Sequence, residues 1–182
     1  HTLWVKKVLQ AFERFRLLCA VREGDWGVTG LNTAIERELI ARKRLVKDGP
    51  WYAGRPVMVT RNDSALGVFN GDIGITLPSP DGLLRVYFLD GDQLRSVGVA
   101  RLAHIETAFA MTVHKSQGSE FTHAALVLPA YGGSVLGREL VYTGITRAKA
   151  QCTVFTQHPK VLAQALAQPT QRHSGLLEFF DS

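Results

Sequence analysis

Three short stretches of the chain concentrate groups able to hold phosphate. The first is TVHKSQGSEF at residues 112–121. Thr112 and Ser116 offer hydroxyls, His114 an imidazole and Lys115 an ammonium group. Gly118 allows close approach to the backbone, and Glu120 can accept from a sugar hydroxyl. Singly, such residues make an ordinary polar loop. As a ten-residue string behind an apolar run they mark a ligand loop, because α/β sheets place binding loops where strands end. The second stretch is ELVYTGITRAK at 139–149. Arg147, with Thr143 and Thr146 near it, suits phosphate because its guanidinium is planar, permanently charged and bidentate. A helix-end cation favoured by the macrodipole is the plainer reading of a lone arginine there. The third is LLCAVREGDWGVTGLN at 17–32. Arg22 ends an apolar run before a glycine-rich loop, where phosphate contact and a simple charged strand end are equally open. Trp26 reads as a cover for the core edge. The run Arg42-Lys43-Arg44, with Lys47, reads as a solvated helix face.

Other chemistries are excluded by pattern. No G-x-x-x-x-G-K-[ST] loop occurs, and no strand ends in paired acids that could hold magnesium. Serine-hydrolase and dinucleotide fingerprints are missing. His104, His123, His158 and His173 show no metal-ligand spacing. Two cysteines, Cys19 and Cys152, cannot build a disulfide framework or a four-ligand zinc site. Both sit in apolar runs and read as small buried hydrophobes in a reducing compartment, the cytoplasm.

These residues need elements to position them. LWVKKVLQAFERF at 3–15 has helical apolar spacing, and RLLCAVR at 16–22 reads as a buried strand. Asn32 reads as the N-cap of a helix running from Thr33 to about Val46. From Pro50 to Leu102 short β-type pieces follow one another: RPVMVTR, GDIGITL, LLRVYFLD and LRSVGVARL. Asn70-Gly71, PSPDG at 78–82 and DGD at 90–92 separate them as hairpin signals, so a small antiparallel barrel is expected. The α/β texture then returns. ETAFAMTV is a strand, AALVLP a buried strand, GRELVYTGITRAK an amphipathic helix and QCTVFT a strand. HPKVLAQALAQ is a helix with Pro159 in its first turn. Strand–loop–helix units of this kind predict a parallel sheet covered by helices, interrupted by the β-rich piece.

Composition sets the outer bounds. The chain has 182 residues, 46% hydrophobic and 20% charged, which predicts a folded domain with a small insertion. No run approaches the roughly 18 apolar residues of a membrane span. The net charge of +5 is concentrated in residues 1–48, which carry +4, while residues 49–105 are neutral and 106–182 carry +1. That mild excess suits a polyanionic partner without requiring one. The first residue is His1 rather than methionine, so a processed product or a piece of a longer chain is expected.

The strings together carry a resemblance. TVHKSQGSEF resembles motif V of superfamily 1 helicases, LVYTGITRAK resembles motif VI, and LLCAVREGDWGVTGLN resembles motif IV, in family order. GRPVMVTRNDSALGVFNGDIGI resembles the SH3-like insertion of RecD-type helicases, and the chain as a whole resembles the C-terminal part of the alpha subunits of exodeoxyribonuclease V. The resemblance implies a RecA-like (P-loop NTPase-like) second helicase domain at 1–49 and 106–182. It also implies a 2B-like SH3-like β-barrel insertion at 50–105. It implies that Arg147 and Arg22 reach the γ-phosphate as catalytic arginines and that Gly118 and Glu120 lie near the nucleotide. Thr112, His114, Lys115 and Ser116 would face DNA. ATP and Mg2+ would be held mostly by a preceding P-loop domain and not by this segment, which alone would be inactive. The implied partners are single-stranded and duplex-end DNA and the beta and gamma subunits of the nuclease, with 5′→3′ translocation in DNA repair and recombination and no membrane. A stand-alone RecD-like helicase, an RNA-directed superfamily 1 helicase and a nucleic-acid-binding module without a P-loop share these strings.

Overall fold

The computed structural model describes residues 1–131 and 136–168; residues 132–135 and 169–182, His173 among them, lie outside it. The first elements are α1 (Thr2–Glu13), β1 (Phe15–Cys19) and α2 (Val28–Ala41). Six short strands follow: β2 (Pro56–Val59), β3 (Ile73–Pro78), β4 (Leu84–Asp90), β5 (Gln93–Gly98), β6 (Ile105–Thr107) and β7 (Ala110–Thr112). Then come β8 (Phe121–Val127), α3 (Arg138–Ile145), β9 (Ala148–Phe155) and α4 (Pro159–Ala167).

The strands form two sheets. One is parallel, in the order β7-β1-β8-β9. Its inner strands β1 and β8 are the LLCA and AALVL runs, apolar on both faces because both faces are covered. Leu18, Ala124 and Leu126 pack under Leu140 and Val141 of α3 and Val161 and Ala165 of α4. Cys19 and Ala110 pack on the other face against Val28 of α2. The second sheet is antiparallel, in the order β5-β4-β3-β2-β6. The turns at 78–82 and 90–92 fall where expected, while Asn70-Gly71 lies inside a longer connection between β2 and β3. One face of this sheet buries Val57, Val59, Val86, Phe88 and Val97, and the other buries Ile75, Leu77 and Tyr87 beneath Val5 and Leu9 of α1. Met58 inserts into the core of the parallel sheet, which joins the two sheets.

Several boundaries differ from expectation for physical reasons. The run 106–113 is not one strand. Its first part pairs with β2 and its second with β1, so the chain changes sheet between Thr107 and Ala110. The second helix starts at Val28 behind Gly27, not at Thr33 behind Asn32. Gly27 and Gly30 press so closely on the backbone of residues 22–25 that a Cβ at either would lie under 3 Å from it. The loop therefore winds tightly and the helix begins a turn early. Asn32 is buried inside α2, where its amide donates to the Ala110 carbonyl at 3.2 Å and accepts from the Ala110 N–H at 3.0 Å. The helix expected to reach 149 ends at Ile145, because the chain turns there to start β9. Cys19 is buried as expected, whereas Cys152 is exposed on the edge strand β9.

Candidate nucleotide and single-strand site

The segment 112–121 joins the carboxyl end of β7 to the amino end of β8. Thr112 closes β7, and its hydroxyl accepts from the Lys115 N–H at 3.3 Å. His114 to Ser116 form a 3-10 turn that leaves His114 and Lys115 exposed. Lys115 Nζ donates to Oδ1 of Asn70 at 2.9 Å. Ser116, expected to face a ligand, is buried instead, and its hydroxyl donates to the Val113 carbonyl at 2.6 Å. Its role is to lock the turn. Gly118 has φ +85, the left-handed region glycine tolerates, and a Cβ there would meet open space. The turn, rather than close packing, is what requires glycine. Glu120 is exposed and lies 3.4 Å from Lys149 Nζ.

Arg147 stands just beyond α3, at the amino end of β9. Its Nε donates to the Thr143 carbonyl at 3.2 Å, its Nη1 to the Ser119 carbonyl at 3.2 Å and its Nη2 to Thr146 Oγ1 at 3.4 Å. Its carbonyl accepts from the Phe121 N–H at 2.8 Å. These acceptors are all neutral, so the guanidinium is aimed without being neutralised. Arg147, Gly118 and Glu120 thus gather at the amino edge of the parallel sheet.

Arg22 does not join them. It follows β1 at the carboxyl edge, where Nη2 donates to Glu106 Oε2 at 2.5 Å and Nε lies 3.9 Å from Glu23. The hydrogen bond to Glu106 is the main reason its guanidinium holds its proton even more firmly than usual. Ala148 pairs with Phe121, two residues before the His123 that pairs with Phe15, and β1 then runs on to Cys19. Six residue steps at 3.3 Å each separate the two edges by about 20 Å. The strand register therefore does not bring Arg22 and Arg147 together, although both were expected at one γ-phosphate.

The UvrD-like helicase C-terminal domain family matches residues 107–155, which hold every residue of the 112–121 segment and Arg147. The RecBCD enzyme subunit RecD of Haemophilus influenzae is 42% identical over 167 residues, which are 91% of this chain and 25% of that protein. The Mycobacterium tuberculosis RecBCD enzyme subunit RecD is 41% identical over 168 residues, 92% of this chain and 29% of that one. The chain carries a RecD-like superfamily 1 helicase C-terminal domain. It spans between a quarter and a third of the length of these RecD relatives. Among solved structures it resembles the Bacteroides Pif1 helicase in complex with ADP-AlF3 and single-stranded DNA. That likeness has a TM-score of 0.56 at 16% identity and covers 93% of this chain and 44% of that one. At that identity it shows the fold alone, an α/β fold with a parallel sheet matching a helicase RecA-like domain. In the RecD-like chain, Arg22, Asn70 and Glu106 all lie outside the matched span.

Read from the sequence, Asn32 and Asn70 have only local roles, as a cap and a turn residue, and Arg16 and Glu106 have none. Arg16 is 2% exposed, with its guanidinium 4.2 Å from the Phe12 ring centroid and 5.0 Å from that of Phe121. Burial lowers its proton affinity to a pKa of about 10. It braces Phe121, the residue after Glu120, and lines a cavity of about 360 Å³ that Ser119 and Glu120 also border. A basic residue flanking an apolar strand gives no sequence signal of such burial. Asn70 and Glu106 act on residues 45 and 84 positions away, which no local pattern encodes.

Proposed function

We propose that the chain is the motor half of an ATP-dependent 5′→3′ DNA helicase subunit of the exodeoxyribonuclease V complex, completed by a P-loop domain elsewhere in the protein. Residues 1–49 and 106–182 form its RecA-like domain, and 50–105 form a 2B-like insertion of SH3-like barrel type. Arg147 acts as the arginine finger, with Gly118 and Glu120 near the nucleotide. Thr112, His114 and Lys115 face single-stranded DNA, and Ser116 shapes their turn. ATP and Mg2+ are held mostly by the P-loop domain, and the other two nuclease subunits and a duplex end are the partners. The setting is cytoplasmic DNA repair and recombination.

One observation carries this reading. The Arg147 guanidinium is fixed by three neutral acceptors at the sheet edge where Ser119 and Glu120 emerge. Phosphoryl transfer needs charge neutralisation and positioning more than covalent chemistry, and an arginine supplied across a cleft acts only when the cleft closes. Domain closure is thereby tied to nucleotide state.

The test is Arg147→Ala and Arg147→Lys in the full-length protein. DNA-stimulated ATPase and unwinding should fall by about 1,000-fold or more, with nucleotide binding retained, since arginine fingers contribute about 10³–10⁵ in rate. Lysine should not rescue, because it lacks the planar fork. ATPase within a few-fold of wild type would overturn the assignment. A second reading, a stand-alone helicase, is favoured by 31% identity over 165 residues to the Deinococcus radiodurans ATP-dependent RecD2 DNA helicase. Purification of the native protein decides between them: co-elution with two larger subunits supports the first, and an active lone chain the second.

A further inference from the structure

Arg22 and Lys115 leave the carboxyl ends of the neighbouring parallel strands β1 and β7, which are in register with Cys19 opposite Thr112. Both side chains then turn to the second sheet. Arg22 reaches Glu106 on β6, and Lys115 reaches Asn70 in the β2–β3 connection. Those two acceptors flank the same end of β2. Glu106 is opposite Met58, while the Gly71 N–H beside Asn70 bonds the Val59 carbonyl at 2.8 Å. The second sheet therefore contacts one cation from each of the two strand ends, through groups near the same end of β2.

We propose that Arg22 is a ligand of the single-strand phosphodiester, presented by Glu106, and that it forms a two-cation clamp with Lys115, presented by Asn70. The proposal rests on the reading that residues 112–115 face the strand, and it moves Arg22 from the nucleotide to the nucleic acid. The chemistry fits. Glu106 takes one Nη2 proton and leaves the remaining donors of an arginine side chain that is 57% exposed. Lys115 has three protons and gives one to Asn70. Two cations on adjacent strands match a backbone with one negative charge per nucleotide. The Glu23 carboxylate near Nε is the group a phosphate oxygen displaces, and Thr29 Oγ1, 3.3 Å from it, can retain it. Asn70 and Glu106 are positioning residues.

The test uses a fluorescent oligo(dT) and the 182-residue chain, with binding read by anisotropy between 50 and 200 mM salt. Arg22→Ala and Lys115→Ala should each weaken binding several-fold and each lower the slope of log affinity against log salt by about 0.7, the value for one single-strand phosphate contact. Glu106→Gln keeps the Arg22 charge, so affinity should fall with the slope unchanged, a split that general loss of structure does not produce. In the full-length protein, Arg22→Ala should raise several-fold the oligo(dT) concentration that half-saturates the ATPase. Wild-type affinity and slope in Arg22→Ala, with Lys115→Ala impaired, overturn this proposal alone. A large kcat loss with unchanged DNA affinity returns Arg22 to the nucleotide and also overturns it. If Lys115→Ala too binds as wild type, or the chain does not bind the oligonucleotide, the strand reading falls and this proposal with it.

Discussion

Asn32→Ala, in α2, should destabilise the edge of the parallel sheet. Strand β7 is a three-residue edge strand that, among the described residues, pairs only with β1. Ala110 turns its N–H and carbonyl towards Asn32, whose amide completes both bonds as a backbone neighbour would. Both residues are buried, Asn32 to 8% exposure and Ala110 to 1%. Alanine at 32 removes both hydrogen bonds and leaves two sealed backbone groups unpaired, each costing about 1–3 kcal/mol. A loss of about 3 kcal/mol is expected, which for a domain of this size lowers the Tm by roughly 6–12 °C. Asn32→Asp should cost at least as much, because it keeps the acceptor for the Ala110 N–H but sets a carboxylate against the Ala110 carbonyl. Urea unfolding of the chain gives the free energy, and amide exchange at Ala110 gives the local effect. A loss below about 1 kcal/mol, with Ala110 still protected, would refute the view that this amide substitutes for a missing strand.

Two further outcomes concern ionisable groups. Burial alone would raise the Glu36 carboxyl pKa, but hydrogen bonds from Lys47 and Tyr52, with the charges of Lys47 and Arg55, outweigh it and hold the pKa below the ordinary 4.5. A depressed carboxylate contributes stability above its unfolded value and loses it as pH falls through the folded one. Glu36→Gln should therefore cost about 1 kcal/mol at pH 7, with the difference from wild type closing as pH falls through the depressed folded pKa; a constant gap across acid titration would count against the ion pair. Cys19 is fully buried, and burial pushes its thiol up to about 12, whereas Cys152 is exposed. A neutral aromatic disulfide reagent should titrate one thiol in the native chain and two in urea; two rapid native equivalents would show that β1 is open.

What could be read from the sequence was what each residue does for its immediate neighbours. Helical spacing located α1, continuous apolar runs located β1 and β8, and Pro159 fell in the first turn of α4 as its missing N–H allows. Arg147 was recognisable, although its place in a turn depended on where α3 stops. Misplaced features all depended on distant partners. Asn32 looks like a cap because asparagine caps helices well, and only the tight contact of Gly27 and Gly30 on residues 22–25 moves the helix start. The run ETAFAMTV carries no mark at the point where it changes sheet. Ser116 looks as available as Thr112, and its burial follows from a turn closed by its own hydroxyl. Register was the decisive unseen quantity, since only parallel pairing shows that Arg22 and Arg147 occupy opposite edges.

That separation gives the 112–121 segment its place in the proposed mechanism. It leaves β7 at the edge holding Arg22 and Lys115 and rejoins the sheet at the edge holding Arg147. Its path is short and fixed at both ends. Thr112 and Ser116 close the first turn, Gly118 supplies the left-handed step, and the Ser119 carbonyl accepts from Arg147. If nucleotide draws Arg147 towards phosphate, the Ser119 contact is the first to yield, and the strain passes along the turn to Lys115 and its Asn70 partner. The second sheet carries Glu106 as well, so both strand-side cations would feel that movement together. Under that proposal the two arginines stand at opposite edges of the sheet, and the 112–121 segment is the stretch of chain that runs between them.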